Sequence, residues 1–151
     1  MASTKLLKRS LIAGTVVAFS LSISAFAGGN PAVERQAMMK NVGAATGAAA
    51  GMIKGKIPFN AVAAQLALRT MNNAALGFGA LFPEGSESGA ETEASPKIWS
   101  DRAGFDKAIA DFSADTASAE TIKDLDSLKA AFGIATENCG SCHKAYRIKK
   151  N

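Results

Sequence analysis

The chain has 151 residues, a length that suits one domain, with 17 Lys and Arg against 13 Asp and Glu. Three of the basic residues lie at positions 5, 8 and 9, so the remainder holds 14 basic against 13 acidic residues. A nearly neutral remainder lacks the clustered Lys and Arg of a nucleic-acid-binding surface, and we expect no nucleic-acid partner.

The N-terminus has the three parts of a secretory signal peptide. The basic residues are followed by an apolar run from Leu11 to Ile23 and then by Ala-Phe-Ala at positions 25–27, a typical cleavage pattern. The alternative is a membrane anchor, which needs about 20 apolar residues. Because this run is shorter, we expect residues 1–27 to be removed on export. Residues 28–151 would then form one domain without a membrane anchor.

The first predicted helix begins at Pro31, with Asn30 as its N-cap, and runs to about Lys54. One stripe of it carries Arg35, Met39, Val42, Thr46, Ala49 and Ile53. The residues around the stripe are mostly Ala and Gly. Glycines inside a helix cost about 1 kcal/mol each relative to Ala, so we expect this surface to approach a bulky group closely.

The second predicted helix follows a Gly-Lys-Ile-Pro break and runs from about Pro58 to Ala80. One face of it holds Phe59, Val62, Leu66, Thr70 and Asn73. Residues 82–96 are then rich in turn formers and acidic residues, and they form a longer connection than is usual between helices.

The third predicted helix starts at Ser95-Pro96 and fades near Ala117. Its stripe consists of Ile98, Arg102, Phe105, Ile109 and Phe112. The fourth begins around Thr121 and runs almost to the end of the chain. Its core-facing stripe consists of Leu125, Leu128, Phe132, Ala135, Cys139, Cys142 and Tyr146.

No segment shows strand-like alternation. Four amphipathic helices joined by two short turns and one longer crossover predict an all-α fold, an antiparallel four-helix bundle. In such bundles a cofactor lies between facing helices.

The fourth helix carries the motif Cys139-Gly-Ser-Cys142-His143, which holds the only two cysteines and the only histidine of the chain. A Cys-x-x-Cys-His run is typical of covalent c-type haem attachment. Each thiol forms a thioether with one haem vinyl group, and the histidine becomes the proximal iron ligand. The motif therefore predicts one covalently bound haem c, held by Cys139, Cys142 and His143.

Three alternatives explain the motif less well. A disulfide between the two cysteines would close too short a loop to stabilise the fold much. A thioredoxin-like redox pair needs a βαβ context, and a zinc site needs three or four ligands. A fourth interpretation dispenses with haem and treats the chain as an exported helical binding module.

Other residues are candidates for the remaining haem contacts. Met39 is the main candidate for the distal side, since Met is a known axial ligand beside His, although core filling explains a Met on this stripe equally well. Arg35, one turn earlier, is placed to pair with a propionate. Arg147 lies four residues after His143, which puts it on the same helical face, either beside the imidazole or as a solvated cation favoured by the helix dipole.

The motif at the C-terminal end resembles that of the class II c-type cytochromes, the cytochrome c′ and cytochrome c-556 family. The resemblance covers residues 28–151. It is strongest in Cys-Gly-Ser-Cys-His-Lys-Ala-Tyr-Arg at 139–147, and it extends to Arg-Gln-Ala-Met-Met-Lys at 35–40, Leu-Phe-Pro at 81–83 and Pro-Lys-Ile-Trp at 96–99.

The resemblance implies a role for each matching residue. Cys139 and Cys142 would carry the haem, and His143 would be the proximal ligand. Arg147 would tune the proximal side, Arg35 and Gln36 would contact a propionate, and Met39 would occupy the distal position. The resemblance also implies a periplasmic location and transient redox partner proteins, and it leaves a homodimer open.

Two functions follow from the distal residue. In the c-556 type, which we favour, Met39 completes a six-coordinate low-spin site suited to one-electron transfer. In cytochrome c′, the residue covers a five-coordinate high-spin iron that binds NO or CO. We expect no enzymatic activity, because no second titratable group clusters with the motif.

Overall fold

The computed structural model describes residues 29–88 and 91–148, which form five α-helices. Their bounds are α1 Pro31–Ile53, α2 Ala61–Phe78, α3 Lys97–Ser100, α4 Arg102–Thr116 and α5 Leu125–Tyr146. Short 3-10 turns follow α2 and α4, at Gly79–Leu81 and Ala119–Thr121. The predicted signal peptide, residues 1–27, lies outside the described residues.

The four long helices form the predicted antiparallel bundle. Each packs on two neighbours, in the cyclic order α1, α2, α4, α5. The core between them is built largely from alanines and a few larger side chains, namely Val42, Met52, Leu68, Met71, Ile122 and Leu128. The predicted all-α fold class is confirmed. None of the described helices is long and apolar enough to cross a membrane.

Side-chain caps explain where the helices begin. Asn30 accepts a hydrogen bond from the Ala32 amide at 2.9 Å, which confirms the predicted start of α1. α2 begins later than its predicted start at Pro58, because Asn60 is the residue that caps it, through the Ala63 amide. α5 likewise begins after its predicted start, at a capping box formed by Asp124 and Ser127.

The predicted third helix is two helices, α3 and α4. The break is at Asp101, whose backbone leaves the helical region and whose side chain accepts a hydrogen bond from the Gly104 amide at 3.2 Å. α3 and the preceding crossover join the bundle through a second apolar cluster. Its buried members are Phe82, Ile98, Phe105 and Tyr146.

The predicted face of α2 is turned away from the core. Val62 is 74% exposed and Leu66 is 63% exposed. The helix instead buries Ala64, Ala67, Leu68, Met71, Ala74 and Ala75. The four buried alanines allow α2 to lie close to both α1 and α4, whereas Val62 and Leu66 remain outside.

Candidate haem site

The last turns of α5 carry the predicted attachment motif. Cys139 and Cys142 are half-buried free thiols, and His143 is exposed beside them. The Cys139 thiol lies 3.3 Å from the Ala135 carbonyl, to which it donates a hydrogen bond. Since the three side chains are spaced at i, i+3 and i+4 along one helix, they lie on the same face of α5.

Burial raises the pKa of both thiols, and the charge of Cys139 raises that of Cys142 further. Neutral thiols differ from a redox-active Cys-x-x-Cys pair, whose nucleophilic cysteine has a lowered pKa. The electrostatics therefore disfavour the thioredoxin-like interpretation. As for the zinc alternative, residues 29–88 and 91–148 bring no three His, Cys, Asp or Glu side chains together as a metal site.

A cavity of about 760 Å³ opens between the helices in front of the motif, within the size range of small-molecule and cofactor sites. Cys139, Cys142 and His143 form one wall of it. Apolar and small residues of the other long helices form much of the rest, including Val42, Gly43, Ala75, Phe78, Phe105, Ala108, Ile109 and Phe112. The small side chains of Gly43 in α1 and Ala75 in α2 thus leave room beside the motif.

Arg35 lies in the wall of this cavity and is only 5% exposed. Its Nε donates to the Pro31 carbonyl at 3.1 Å and its Nη2 donates to the Ser86 carbonyl at 2.8 Å. The guanidinium carbon is 4.5 Å from the centre of the Phe82 ring. Burial lowers the pKa of Arg35.

The remaining nitrogen of Arg35, Nη1, is buried without a hydrogen-bond partner among the described residues. Unpaired buried donors are costly and need an explanation. A carboxylate in the cavity would supply the missing acceptor. The unpaired donor, the two thiols and the apolar walls together fit a haem, whose propionates are carboxylates and whose ring is apolar.

The other residues predicted on α1 also reach the cavity. Met39 is half-buried and lines it together with the motif, whereas its neighbour Met38 does not line it. Gln36 is exposed at its edge and donates a hydrogen bond from Nε2 to the Glu91 carbonyl. The structure therefore brings Arg35, Gln36 and Met39 to the same cavity as the motif.

Arg147 lines the cavity too, but not on the helical face that the sequence predicts. α5 ends at Tyr146, and Arg147 has an extended backbone with φ −118° and ψ 133°. Its side chain forms an ion pair with Glu93 of the crossover. The expectation of a helical Arg147 is wrong because the crossover pairs with the chain at this point and the helix stops.

Sequence reasoning missed Glu91, Thr92 and Glu93, which form part of the cavity wall. They lie in an acidic crossover where no pattern distinguishes one glutamate from another. It also gave Phe82 no role, although that ring contacts Arg35 and packs edge-on against Phe105 at 4.8 Å. The sequence signal that could have indicated Phe82 is the family-like Leu-Phe-Pro segment at 81–83.

Comparison with known proteins decides the family. The family model described as Cytochrome C′ matches residues 30–147. The chain belongs to the cytochrome c′ family. A cytochrome c′ of Rhodopseudomonas palustris is 41% identical over 119 residues, which cover 78% of this chain and 82% of the relative. A cytochrome c-556 of the same species is 33% identical over 151 residues, covering 96% of this chain and 99% of the relative.

Solved structures agree with this membership. Cytochrome c′ from Rhodopseudomonas palustris has a TM-score of 0.77 at 39% identity, covering 82% of this chain and 100% of that one. A nitric oxide complex of a mutant cytochrome c prime from Alcaligenes xylosoxidans has a TM-score of 0.69 at 31% identity, covering 79% and 94%. The predicted resemblance to class II cytochromes is confirmed. As a family member, the chain is a c-type electron-carrier cytochrome with one covalent haem c.

Proposed function

We propose that this cytochrome is a periplasmic one-electron carrier of the c-556 type, with Cys139 and Cys142 attaching the haem, His143 as proximal ligand and Met39 as distal ligand. The observation that supports it best is the shared cavity, whose lining includes both Met39 of α1 and the motif of α5.

Bound haem supplies the one-electron chemistry at its iron. The two cysteines would hold its position through two bonds to one helix, and His143 and Met39 would supply the same two iron ligands in both oxidation states. Phe78, Phe105 and Phe112 contribute apolar surface to the cavity wall. Arg35 would offer its unpaired Nη1 to a propionate carboxylate. A site with fixed ligands and apolar walls would reorganise little when one electron enters or leaves.

A high-spin site that binds NO or CO is the second candidate. It is favoured by the cytochrome c′ that is 41% identical and by the nitric oxide complex of the Alcaligenes xylosoxidans relative. In that case Met39 covers the iron without binding it, and it restricts which ligands enter.

The spin state of the iron separates these two functions. We expect the oxidised protein to show a low-spin optical spectrum with a methionine-to-iron charge-transfer band. Met39→Leu should abolish that band and open the reduced protein to CO, whereas Met38→Leu, the matched control, should preserve it. A high-spin spectrum in the unaltered protein, with CO binding to its reduced form, would establish the second function instead.

The periplasmic location follows from the predicted signal peptide. Export should yield a mature protein that begins at Gly28. N-terminal sequencing of periplasmic material tests this directly, and a mature chain that still carries residues 1–27 would contradict it.

We also propose that the protein forms a homodimer through α2. Val62, Leu66 and Leu76 are spaced so that they return to one side of the helix, and they are 63–74% exposed. An exposed apolar face on a water-soluble bundle indicates an interaction surface. Two copies related by a two-fold axis would bury the same face on each partner.

A further inference from the structure

The crossover and the end of α5 run side by side as a short antiparallel pair. Ala94 and Arg147 form a β-bridge. The Ser95 amide donates to the Tyr146 carbonyl at 3.0 Å, and the Ile148 amide donates to the Glu93 carbonyl at 2.7 Å. Residues 93–95 of the crossover therefore pair with residues 146–148, which come shortly after the haem-attachment motif.

A side-chain pair reinforces this contact. The Arg147 Nε donates a hydrogen bond to Oε2 of Glu93 at 2.5 Å, and Nη2 forms an ion pair with the same oxygen. The two side chains are 48% and 39% exposed. Ion pairs at such exposure contribute little to folding stability, so stability alone gives no reason for this geometry.

Both members of the pair face the proximal side of the cavity. Glu93 and Arg147 line it together with His143. The Arg147 amide donates a hydrogen bond to the His143 carbonyl at 3.2 Å, so the two residues are adjacent at the end of α5. The location of the Arg147 guanidinium therefore determines how far its charge and that of Glu93 cancel beside His143.

We propose that Glu93 is a positioning residue, which fixes the Arg147 guanidinium beside His143 and thereby sets the reduction potential of the haem. The inference rests on the proposed attachment of haem to Cys139 and Cys142 with His143 as ligand. Without the Glu93 carboxylate, no other described residue holds the long side chain of Arg147. The side chain would then populate many rotamers, and its charge would have no fixed position.

A double-mutant cycle in midpoint potential separates positioning from simple charge. A negative charge near the iron favours Fe(III), so Glu93→Gln should raise the potential and Arg147→Gln should lower it. If each charge acted independently, the two shifts would add. Because Glu93 fixes Arg147, we expect the shift caused by Arg147→Gln to be smaller in the Glu93→Gln background than in the parent.

The matched control is Glu91→Gln, which removes the same charge from the same wall of the cavity. Glu91 forms no ion pair within the described part of the chain. The change in midpoint potential caused by Glu91→Gln should therefore add to the change caused by Arg147→Gln. Amide hydrogen exchange gives a second readout: Glu93→Gln should accelerate exchange at Ser95 and Ile148, and Glu91→Gln should not.

The outcomes distinguish the haem site from the role of Glu93. A parent protein that carries no covalent haem refutes the proposed function, and the inference fails with it. A haem-loaded parent in which the Glu93→Gln and Arg147→Gln shifts add, or in which Glu93→Gln leaves exchange at Ile148 unchanged, overturns the role of Glu93 alone. Non-additive shifts together with faster exchange support it.

Discussion

The hydroxyl of Tyr146 donates a hydrogen bond to Oδ2 of Asp101 at 2.9 Å, and this bond joins the last residue of α5 to the residue that caps α4. Tyr146 lies one helical turn after Cys142, and its ring packs against Phe105 at 5.3 Å. The bond therefore anchors the turn that carries the attachment motif to the neighbouring helix.

Gly104 makes this bond sterically feasible. A Cβ at that position would lie 2.6 Å from the Tyr146 hydroxyl and from both Asp101 carboxylate oxygens. We expect Gly104→Ala to push the two side chains apart and to lower the free energy of unfolding by about 1–3 kcal/mol, as other overpacked sites do. Urea denaturation of the haem-loaded protein measures the change.

The control for this prediction is Gly133→Ala. Gly133 also lies inside a helix, but nothing stands within 4 Å of the Cβ it would gain. Alanine should stabilise that position by about 0.5–1 kcal/mol, because it loses less backbone freedom on folding. If Gly104→Ala stabilised the protein to the same extent, the close contact at Tyr146 would be incorrect.

Local signals predicted much of the fold. Asn30 and Pro31 begin α1 as predicted, and the Cys-x-x-Cys-His motif lies on the core side of α5. The face of α2 was not predicted correctly, because apolar residues lie on more than one side of this helix. The predicted face held Val62 and Leu66, whereas packing between α1 and α4 buries Leu68 and Met71 together with four alanines.

Long-range polar contacts were beyond sequence reasoning for a different reason. Arg147 and Glu93 are 54 residues apart, and Tyr146 and Asp101 are 45 apart. No periodicity links such pairs, and every acidic residue in the crossover has a similar local context. Arg35 and Met39 of α1 could be predicted from the sequence, because they lie one turn apart on a stripe that also faces the core.

Arg35 should control the ionisation of a haem propionate. A carboxylate beside a cation has a lowered pKa, so removing the guanidinium in Arg35→Leu should raise the propionate pKa. The pH range in which the midpoint potential depends on pH should then move upward. Potentiometric titration at a series of pH values measures it.

Arg69→Leu is the matched control for Arg35. Arg69 is an exposed arginine of α2 that does not line the cavity, so its loss should leave that pH range in place. Equal profiles for Arg35→Leu and the parent would show that the unpaired Nη1 serves no carboxylate in the cavity.

Acid should weaken the start of α5 through Asp124. Hydrogen bonds from the Ser127 hydroxyl and amide lower the pKa of Asp124 below its ordinary value of 3.8. A carboxyl whose folded-state pKa is lowered stabilises the fold above its unfolded pKa, and this stabilisation disappears as pH falls through the folded value. Ser127→Ala removes the hydroxyl bond, so its destabilising effect should be large at pH 6 and shrink below about pH 4. Urea denaturation across that range measures it; an effect that stays constant with pH would contradict the linkage.

The apolar face of α2 gives a direct test of self-association. Leu66 is in the middle of the face formed by Val62, Leu66 and Leu76, and a charge there would have to be buried without a partner in a dimer. We expect Leu66→Glu to yield monomers in sedimentation velocity at concentrations where the parent is dimeric. Ile134→Glu is the matched control, because Ile134 is also an exposed apolar residue, 49% exposed, but lies on α5 rather than α2. The Ile134→Glu variant should remain dimeric, since a two-fold interface on α2 does not include the exposed face of α5. A parent that sediments as a monomer at every concentration, or a dimer that Ile134→Glu disrupts and Leu66→Glu does not, would remove α2 as the interface and leave the haem site unaffected.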